Sequence, residues 1–572
     1  MSNSTQEEML LGEYLVRRLQ QLGINTVFGV PGDFELPLLD QIPPQQWSGS
    51  PNELIAAYSA DGYARIKGYG ALVTTFGPGE TSAICGTAGS YCESVAVLHI
   101  VGYPGVRAQT KGKILHHTLG DLKYDHYLKM SAEVTCAATI LKNAEEAPDE
   151  IDKIIKAMIY HNRPAYLGFP VDLQTTKIST AQLNVPLPTS LNMEEDKDLT
   201  DCTELASTIT DKIQNSRAPI IISDGGATRN NIEPLIQELG NMLLCPMFTT
   251  FMGKGSVDEQ SPLFCGVYGG KGSQPDTIKI VEGSDCVLWV GNFPSDFNTG
   301  GFSENVAPEN IIDFQRFEVK IGHEKHPANI KAIFMELIKQ IKNRNLIAKY
   351  ESNLSCIAYP EYQESEVEEI THKWLWQRFS SFLRSSDILI TETGCSQAGM
   401  MEARFPSGIK MFTQAIFGSI GFAPGAAVGA SIAGKELNEQ GKEYKRMVLV
   451  EGDGSLQLTV QALSVLQREG LIPVIFVINN GGYTVERLIH GLHAPYNKIP
   501  SWNYTALLKV LAPDIESRSY HVSTAKELDE LMKDEEFNGA TYPQLVEVMM
   551  DEYDCPNSVH IIGETAAKHN AG

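Results

Sequence analysis

Short runs of β-branched and aliphatic residues alternate with segments of helical period along most of this chain. Near the start, the helix-like segment EYLVRRLQQLG is followed by the apolar run NTVFGV, then by the helix-like NELIAAYSADGYARIKG and the apolar run ALVTTFG. Strands that alternate with helices pair in parallel, and their helices cover both faces of the sheet. We therefore predict an α/β protein built from doubly wound parallel sheets.

This alternation lapses twice, and the lapses divide the 572 residues into three parts. The first lapse, ISTAQLNVPLPTSLNMEEDKDLT, is rich in proline and then acidic, and the second ends in EYQESEVEE. Segments of this composition commonly link domains, and domains average about 100–200 residues. The sequence therefore predicts three α/β domains, at residues 1–185, 195–345 and 365–565.

Net charge and apolar content limit the partners that this chain could have. A formal net charge of -24 argues against a nucleic-acid binder, because such proteins present basic surfaces to phosphates. No apolar run reaches the length of about 18 residues that a membrane helix needs, and the N-terminus does not resemble a signal peptide. The ten cysteines form no C-x-x-C pair, which indicates reduced thiols. We expect a cytoplasmic protein that binds neither nucleic acid nor membrane.

Two polar residues follow neighbouring apolar strands late in the chain. Asp453 comes directly after RMVLVEG, and Asn480 follows VIFVIN, 27 positions later. Parallel strands end at one edge of a sheet, so both side chains can point to one place. Mg²⁺ prefers oxygen ligands and shares them with phosphates and water. Asp453, Asn480 and the Gly482 carbonyl are therefore candidate metal ligands; the alternative is an ordinary acidic turn, because Asp-Gly pairs are common in turns.

The order GDG, helix, apolar strand and NN resembles the signature of enzymes that use thiamin diphosphate. Further segments occur in the order seen in pyruvate decarboxylases and related 2-oxo acid decarboxylases of fungi, among them VFGVPGDFELPLLD, NELIAAYSADGYARIKG, ILHHTLG, ITETG, FGSIGF and NNGGYTVERLIHG. The resemblance extends from about Gly12 to about Pro556. It implies that the three domains are the pyrimidine-binding, middle and diphosphate-binding domains of the thiamin diphosphate fold.

The same resemblance implies a role for each matching residue. Glu53 would be the carboxyl that activates the aminopyrimidine ring of the cofactor. Proton transfer would fall to Asp33, His116, His117 and Glu486. The remaining cofactor contacts would come from Thr393, Gly418, Ile420, Gly454 and Ser455. Without the resemblance, Glu53 would be an exposed glutamate favoured by the helix dipole, and the two histidines would be ordinary loop residues.

The implied activity is non-oxidative decarboxylation of a 2-oxo acid to an aldehyde and CO₂, dependent on thiamin diphosphate and Mg²⁺. Pyruvate, giving acetaldehyde, is the first expectation. Two alternatives are a preference for a bulkier aromatic or branched 2-oxo acid, and a catalytically weak relative that acts in binding or regulation. In the family, the GDF and HH segments and the GDG and NN segments of one active site come from different subunits. A homodimer is therefore expected at least, and a homotetramer is the favoured assembly.

Several positions differ from the usual pattern of the fungal enzymes. PGDFE carries Glu35 where asparagine is common, and AIFGSIG carries Phe417 where tryptophan is usual. ETGCSQ carries Cys395 and Gln397 where a threonine and an alanine are usual. These residues cluster on the expected substrate side, so they bear on substrate preference more than on decarboxylation itself.

Overall fold

Three sheets, each flanked by helices, follow one another along the chain in the computed structural model, which describes residues 7–188, 201–348 and 368–570. The predicted α/β class is confirmed. Most of the two predicted linkers, residues 189–200 and 349–367, lies outside the described residues.

The first sheet has six parallel strands in the order β3-β2-β4-β5-β7-β6. Its strands are β2 (Val27–Gly29), β3 (Trp47–Gly49), β4 (Gly70–Thr75), β5 (Val97–Tyr103), β6 (Ala137–Ile140) and β7 (Ala165–Pro170). A separate antiparallel pair joins β1 (Glu8–Leu10) and β8 (Lys177–Ser179). The helices are α1 (Leu11–Gln21), α2 (Leu36–Leu39), α3 (Glu53–Lys67), α4 (Pro78–Cys92), α5 (Val106–Thr110), α6 (His126–Ala132) and α7 (Ala147–His161).

The middle sheet is mixed, which differs from the prediction of a wholly parallel sheet. Its order is β11-β10-β9-β12-β13-β14-β15, and the last two pairings are antiparallel. Tight turns join these edge strands, whereas a parallel pair would need a long crossover. The strands are β9 (Pro219–Ser223), β10 (Met247–Thr249), β11 (Phe264–Val267), β12 (Cys286–Val290), β13 (Ile311–Phe314), β14 (Glu318–Ile321) and β15 (Glu324–Pro327). The helices are α8 (Thr203–Asn215), α9 (Gly225–Arg229), α10 (Glu233–Leu243), α11 (Pro275–Glu282) and α12 (Ile330–Arg344).

The third sheet has six parallel strands in the order β17-β16-β18-β19-β21-β20. The strands are β16 (Ile388–Thr391), β17 (Lys410–Phe412), β18 (Met447–Gly452), β19 (Val474–Asn479), β20 (Arg518–Val522) and β21 (Gln544–Met549). The helices are α13 (His372–Phe382), α14 (Cys395–Gly399), α15 (Phe422–Glu439), α16 (Asp453–Thr459), α17 (Ala462–Arg468), α18 (Thr484–Ile489), α19 (Leu507–Leu511), α20 (Ala525–Lys533), α21 (Glu535–Gly539) and α22 (Asn557–Asn570).

Helices α3 and α15 join the first and third sheets into one apolar core. Both helices are rich in alanine and glycine, so their backbones approach closely; a Cβ added at Gly62 would lie 2.1 Å from the Ala426 carbonyl oxygen. Arg65 of α3 adds a buried ion pair with Asp61 at 2.5 Å and another with Glu93 at 2.9 Å. The other oxygen of Glu93 accepts a hydrogen bond from Ile416 N at 3.0 Å. The first domain thereby anchors a loop of the third.

The helices in the described part of the chain can be compared with the expectation that the protein does not bind a membrane. None of those helices combines the length and the apolar character needed to cross a bilayer.

Candidate active site

Asp453 lies where β18 ends and α16 begins, as the apolar strand predicts. Its side chain is 2% exposed, and both carboxylate oxygens are held by backbone amides. Gly454 N donates to Oδ1 at 2.8 Å, and Gly481 N donates to Oδ2 at 2.8 Å. Burial raises the pKa of Asp453 to about 7, against the opposing effect of these amides. A bound cation would stabilise the ionised form of a carboxylate held in this way.

Asn480 and the Gly482 carbonyl complete a cluster of three oxygens. The Asn480 amide nitrogen donates to Thr484 Oγ1 at 2.9 Å, so its oxygen faces Asp453 Oδ1 and the Gly482 oxygen, 3.3 and 2.9 Å away. A rotated amide would instead donate to both oxygens. Ligands of octahedral Mg²⁺ lie about 2.1 Å from the metal and so about 3 Å from each other. The distances from the Asn480 oxygen to the other two oxygens therefore suit Mg²⁺.

These three residues line a cleft of about 320 Å³ at the carboxyl edge of the third sheet. Nine of the residues predicted for the site line it: Thr393, Gly418, Ile420, Asp453, Gly454, Ser455, Asn480, Gly482 and Glu486. Phe297 of the middle domain closes one side. The fold thus brings together predicted site residues that are up to 93 positions apart, from 393 to 486.

The backbone around Asp453 is closely surrounded, which explains the two glycines beside it. A Cβ added at Gly452 would lie 2.4 Å from Glu392 Oε2, and one added at Gly454 would lie 2.5 Å from the Tyr483 ring. Larger residues would push this turn out of place. The turn can therefore bring its amides close to a diphosphate, in keeping with the role implied for Gly454 and Ser455.

Glu392 is a residue of this site that the sequence reasoning missed. Its carboxylate accepts hydrogen bonds from Gly452 N at 3.0 Å, Ser455 Oγ at 2.9 Å and Ser396 Oγ at 2.9 Å. These hydrogen bonds therefore fix the position of the GDG turn. The signal for Glu392 in the sequence is an acidic residue at the end of the strand DILITETG, next to Thr393.

The loop between β17 and α15 supplies Gly418 and Ile420. Gly418 has φ +64°, a conformation that favours glycine. Thr393 Oγ1 donates to the Gln414 carbonyl at 2.7 Å, and Ser419 N donates to Gln414 Oε1 at 2.8 Å. These bonds hold the loop beside the end of β16.

Asp33, His116 and His117 form a second cluster, in the first domain. His116 Nε2 and Asp33 Oδ2 are 2.7 Å apart, and the side chains are 55% and 51% exposed. Phe34 stacks on the His116 ring with centroids 4.9 Å apart, and His117 contacts that ring edge-on at 4.7 Å. A carboxylate and two imidazoles at an exposed edge can exchange protons with a substrate.

Glu53 begins α3, where Asn52 caps the helix by accepting a hydrogen bond from Ile55 N at 2.9 Å. Its side chain is half-buried, and burial raises the pKa of its carboxyl. A raised pKa suits a group that shares a proton with a bound ring.

Asp33, Glu53, His116 and His117 do not line the cleft that contains Asp453. The described residues of one chain thus place the two halves of the predicted site apart. The prediction that two subunits share each active site accounts for this separation and stays a prediction.

The chain matches three family models in order. These are the N-terminal TPP binding domain of thiamine pyrophosphate enzymes at residues 9–126, the central domain at 206–337 and the C-terminal TPP binding domain at 392–548. The chain is 40% identical to pyruvate decarboxylase isozyme 3 of Saccharomyces cerevisiae over 99% of both chains. It is also 40% identical to pyruvate decarboxylase of Candida glabrata over 99% of both, and to that of Aspergillus terreus over 98% of this chain and 97% of the relative. The chain belongs to the pyruvate decarboxylase family of thiamine pyrophosphate enzymes.

Proposed function

We propose that this protein decarboxylates pyruvate to acetaldehyde and CO₂ without oxidation, using thiamin diphosphate and Mg²⁺. The observation that carries the proposal is the convergence of Asp453, Asn480 and Gly482 oxygens beside a glycine turn, in a chain 40% identical to pyruvate decarboxylases over its full length. This arrangement suits a magnesium diphosphate group.

Each part of the cleft contributes a separate function. Asp453, Asn480 and the Gly482 carbonyl would hold Mg²⁺, and Gly454 and Ser455 would contact the diphosphate. Thr393, the Gly418 carbonyl and Ile420 would hold the rest of the cofactor in the conformation required for reaction. Thiamin diphosphate, when bound, supplies the electron sink for carbon–carbon bond cleavage. Glu53 would hold a proton at the pyrimidine ring and so activate the cofactor.

The protein itself would provide a desolvated pocket and a set of proton carriers. Phe297 and Val485 line the cleft with apolar surface, which disfavours a carboxylate and so promotes loss of CO₂. Two proton transfers then remain. A proton must reach the carbon that loses CO₂, and the hydroxyl proton must leave so that the aldehyde is released. Both transfers require groups at the cleft mouth. We assign these proton transfers to the Asp33–His116 pair, His117 and Glu486.

The separation of the two clusters supports a homodimer at least, with a homotetramer as the expected assembly. In that assembly, Glu53 and the His116 cluster of one subunit would face the Asp453 cleft of another. The domain bounds 1–185, 195–345 and 365–565 would then be the pyrimidine-binding, middle and diphosphate-binding units. We place the protein in the cytoplasm, where thiols stay reduced.

Aldehyde production tests the function directly. The purified full-length chain would be supplied with thiamin diphosphate and Mg²⁺, and aldehyde would be followed by coupling to alcohol dehydrogenase. Pyruvate, a branched 2-oxo acid and phenylpyruvate would be compared at equal concentration. We expect the highest kcat/KM with pyruvate. Absence of aldehyde from all three substrates would overturn the proposal. A higher kcat/KM with a larger 2-oxo acid would identify that acid, rather than pyruvate, as the preferred substrate.

A further inference from the structure

Glu35 is a buried carboxyl next to the proton-transfer cluster and has no role in the mechanism above. It lies between β2 and α2, two residues after Asp33, and its side chain is 0% exposed. Neither carboxyl oxygen meets the geometry of a hydrogen bond with the described residues. A buried ionised carboxylate with such weak support is costly, so the neutral form is favoured.

Three segments enclose the Glu35 carboxyl. Cβ atoms built at glycine positions locate its oxygens: one at Gly102 of β5 would lie 2.7 Å from Oε2, and one at Gly32 would lie 2.9 Å from Oε1. The same point at Gly32 is 2.7 Å from Thr75 Oγ1, at the end of β4. Glu35 thus sits between its own turn and the ends of two central strands, with the Thr75 hydroxyl nearby.

Thr75 stands between Glu35 and the cofactor-activating carboxyl. A Cβ added at Gly79 would lie 3.0 Å from the Thr75 methyl and 3.2 Å from Glu53 Oε1. The hydroxyl of Thr75 therefore faces Glu35 while its methyl faces Glu53. Glu35 is thereby placed across Thr75 from Glu53, and its complete burial keeps it out of reach of a substrate.

Asp33 is the charged neighbour that acts most on Glu35. Burial raises the pKa of Glu35 to about 7, and the Asp33 charge adds to this, whereas Thr75 and the Gly32 amide oppose it. Other ionisable groups on this side include His116, joined to Asp33, His117 beside the His116 ring, and Glu53 on α3 beyond Thr75. Because the Asp33 charge raises the pKa of Glu35, the two carboxyls do not ionise independently.

We propose that Glu35 is a positioning residue that controls the proton affinity of the Asp33–His116 pair. With Glu35 neutral, Asp33 carries the single negative charge beside His116. When Glu35 ionises, a second negative charge favours the protonated imidazole and holds the proton on His116 to higher pH. The inference rests on the proposed function for its effect on turnover, but the coupling itself is a property of the protein alone.

The test compares wild type with Glu35→Gln, which preserves size and removes the ionisation. In protein without cofactor, His116 would be titrated by NMR of labelled histidine, with its signal assigned through His116→Asn. We expect the His116 midpoint to fall by about half to one pH unit in Glu35→Gln. With the loaded enzyme, the His116-linked break in the profile of kcat/KM against pH should move in the same direction. An unchanged His116 midpoint would overturn the proposal, whether or not the protein is a decarboxylase.

Thermal unfolding separates this role from a structural one. The unfolded chain loses this proton near pH 4.5, whereas the folded protein holds it until about pH 7, so wild type loses stability as pH rises between these values. Glu35→Gln should therefore melt higher than wild type at pH 8, and this advantage should be smaller near pH 5. If Glu35→Gln melts lower at pH 8, the carboxylate is stabilised by partners and the proposal fails. Glu35→Asn serves as a second neutral variant if the first does not fold.

Asp313→Asn is the matched control. Asp313 is a buried carboxyl in the middle sheet, and burial raises its pKa to about 6. Removing its ionisation should change the melting temperature and leave the midpoint of the His116 titration unchanged. A shift of the His116 midpoint in this control equal to that in Glu35→Gln would show a general electrostatic effect and refute a specific link to Glu35.

Discussion

Gly481 donates its backbone N–H to Asp453 Oδ2 at 2.8 Å, and this bond joins the carboxyl ends of β18 and β19. Asp453 belongs to the turn after one strand, and Gly481 to the turn after the next. The bond therefore sets the separation between Asp453 and its neighbour Asn480. A metal site of this kind depends on two parallel strands that end at the same level.

Asp453→Asn should weaken thiamin diphosphate binding in the presence of Mg²⁺ by about 100-fold, or about 2.7 kcal/mol. The amide retains an oxygen but removes the negative charge that favours the cation. Calorimetric titration with thiamin diphosphate at fixed Mg²⁺ would measure the change. Asp313→Asn is the control and should bind normally; equal affinity in Asp453→Asn and wild type would exclude Asp453 as a ligand.

Glu53→Gln should lower kcat by about 100-fold or more, because the amide cannot give up and recover a proton. Binding of Mg²⁺ and thiamin diphosphate should persist, because the metal and the diphosphate would be held by other residues, Asp453, Asn480 and the Gly482 carbonyl. Steady-state rates and the same calorimetric titration would separate the two effects. A variant with normal turnover would show that another group activates the cofactor.

Co-expression of Glu53→Gln and Asp453→Asn tests whether two subunits share each site. Each variant alone should be nearly inactive, whereas purified mixed dimers should recover about half of wild-type activity, and the whole co-expressed pool about a quarter. The recovery arises because one of the two sites in a mixed dimer then carries neither substitution. Differently tagged chains and tandem purification would isolate the mixed dimers. No recovery in purified mixed dimers would place both residues in a site formed by one subunit.

His372→Phe should protect the protein against acid. His372 is 1% exposed, neither ring nitrogen has a hydrogen-bond partner among the described residues, and burial lowers its pKa to about 4. The unfolded chain binds this proton below its ordinary pKa of about 6.5, whereas the folded protein does not until about pH 4. Stability is therefore lost as pH falls through this window, by about 1.4 kcal/mol per pH unit at most.

Chemical unfolding at pH 7.5 and pH 5 would measure this effect. The advantage of His372→Phe over wild type should be larger at pH 5 than at pH 7.5. The exposed His323→Phe serves as the control and should show no such difference between the two conditions. An advantage of His372→Phe that is equal at both pH values would contradict a depressed pKa for His372.

Much of the fold was predictable because its signals are local. The apolar runs before Asp453 and Asn480 form β18 and β19, which pair in parallel as expected. A buried strand of a parallel sheet needs a short continuous apolar run, and its turn residues follow directly in the sequence. The metal-ligand candidates were therefore recognisable from residue type, order and spacing.

The sequence by itself determined the α/β class and the residues at the strand ends, whereas the tertiary structure decided which of them meet. It buried Glu35, which the sequence places on the expected substrate side, and it placed Glu392, an ordinary polar residue in the sequence, beneath the GDG turn. It also separated Glu53 and His116 from the Asp453 cleft. Hydrophobic period reports only the neighbours along the chain, but burial and pairing of a polar side chain depend on distant segments that pack around it.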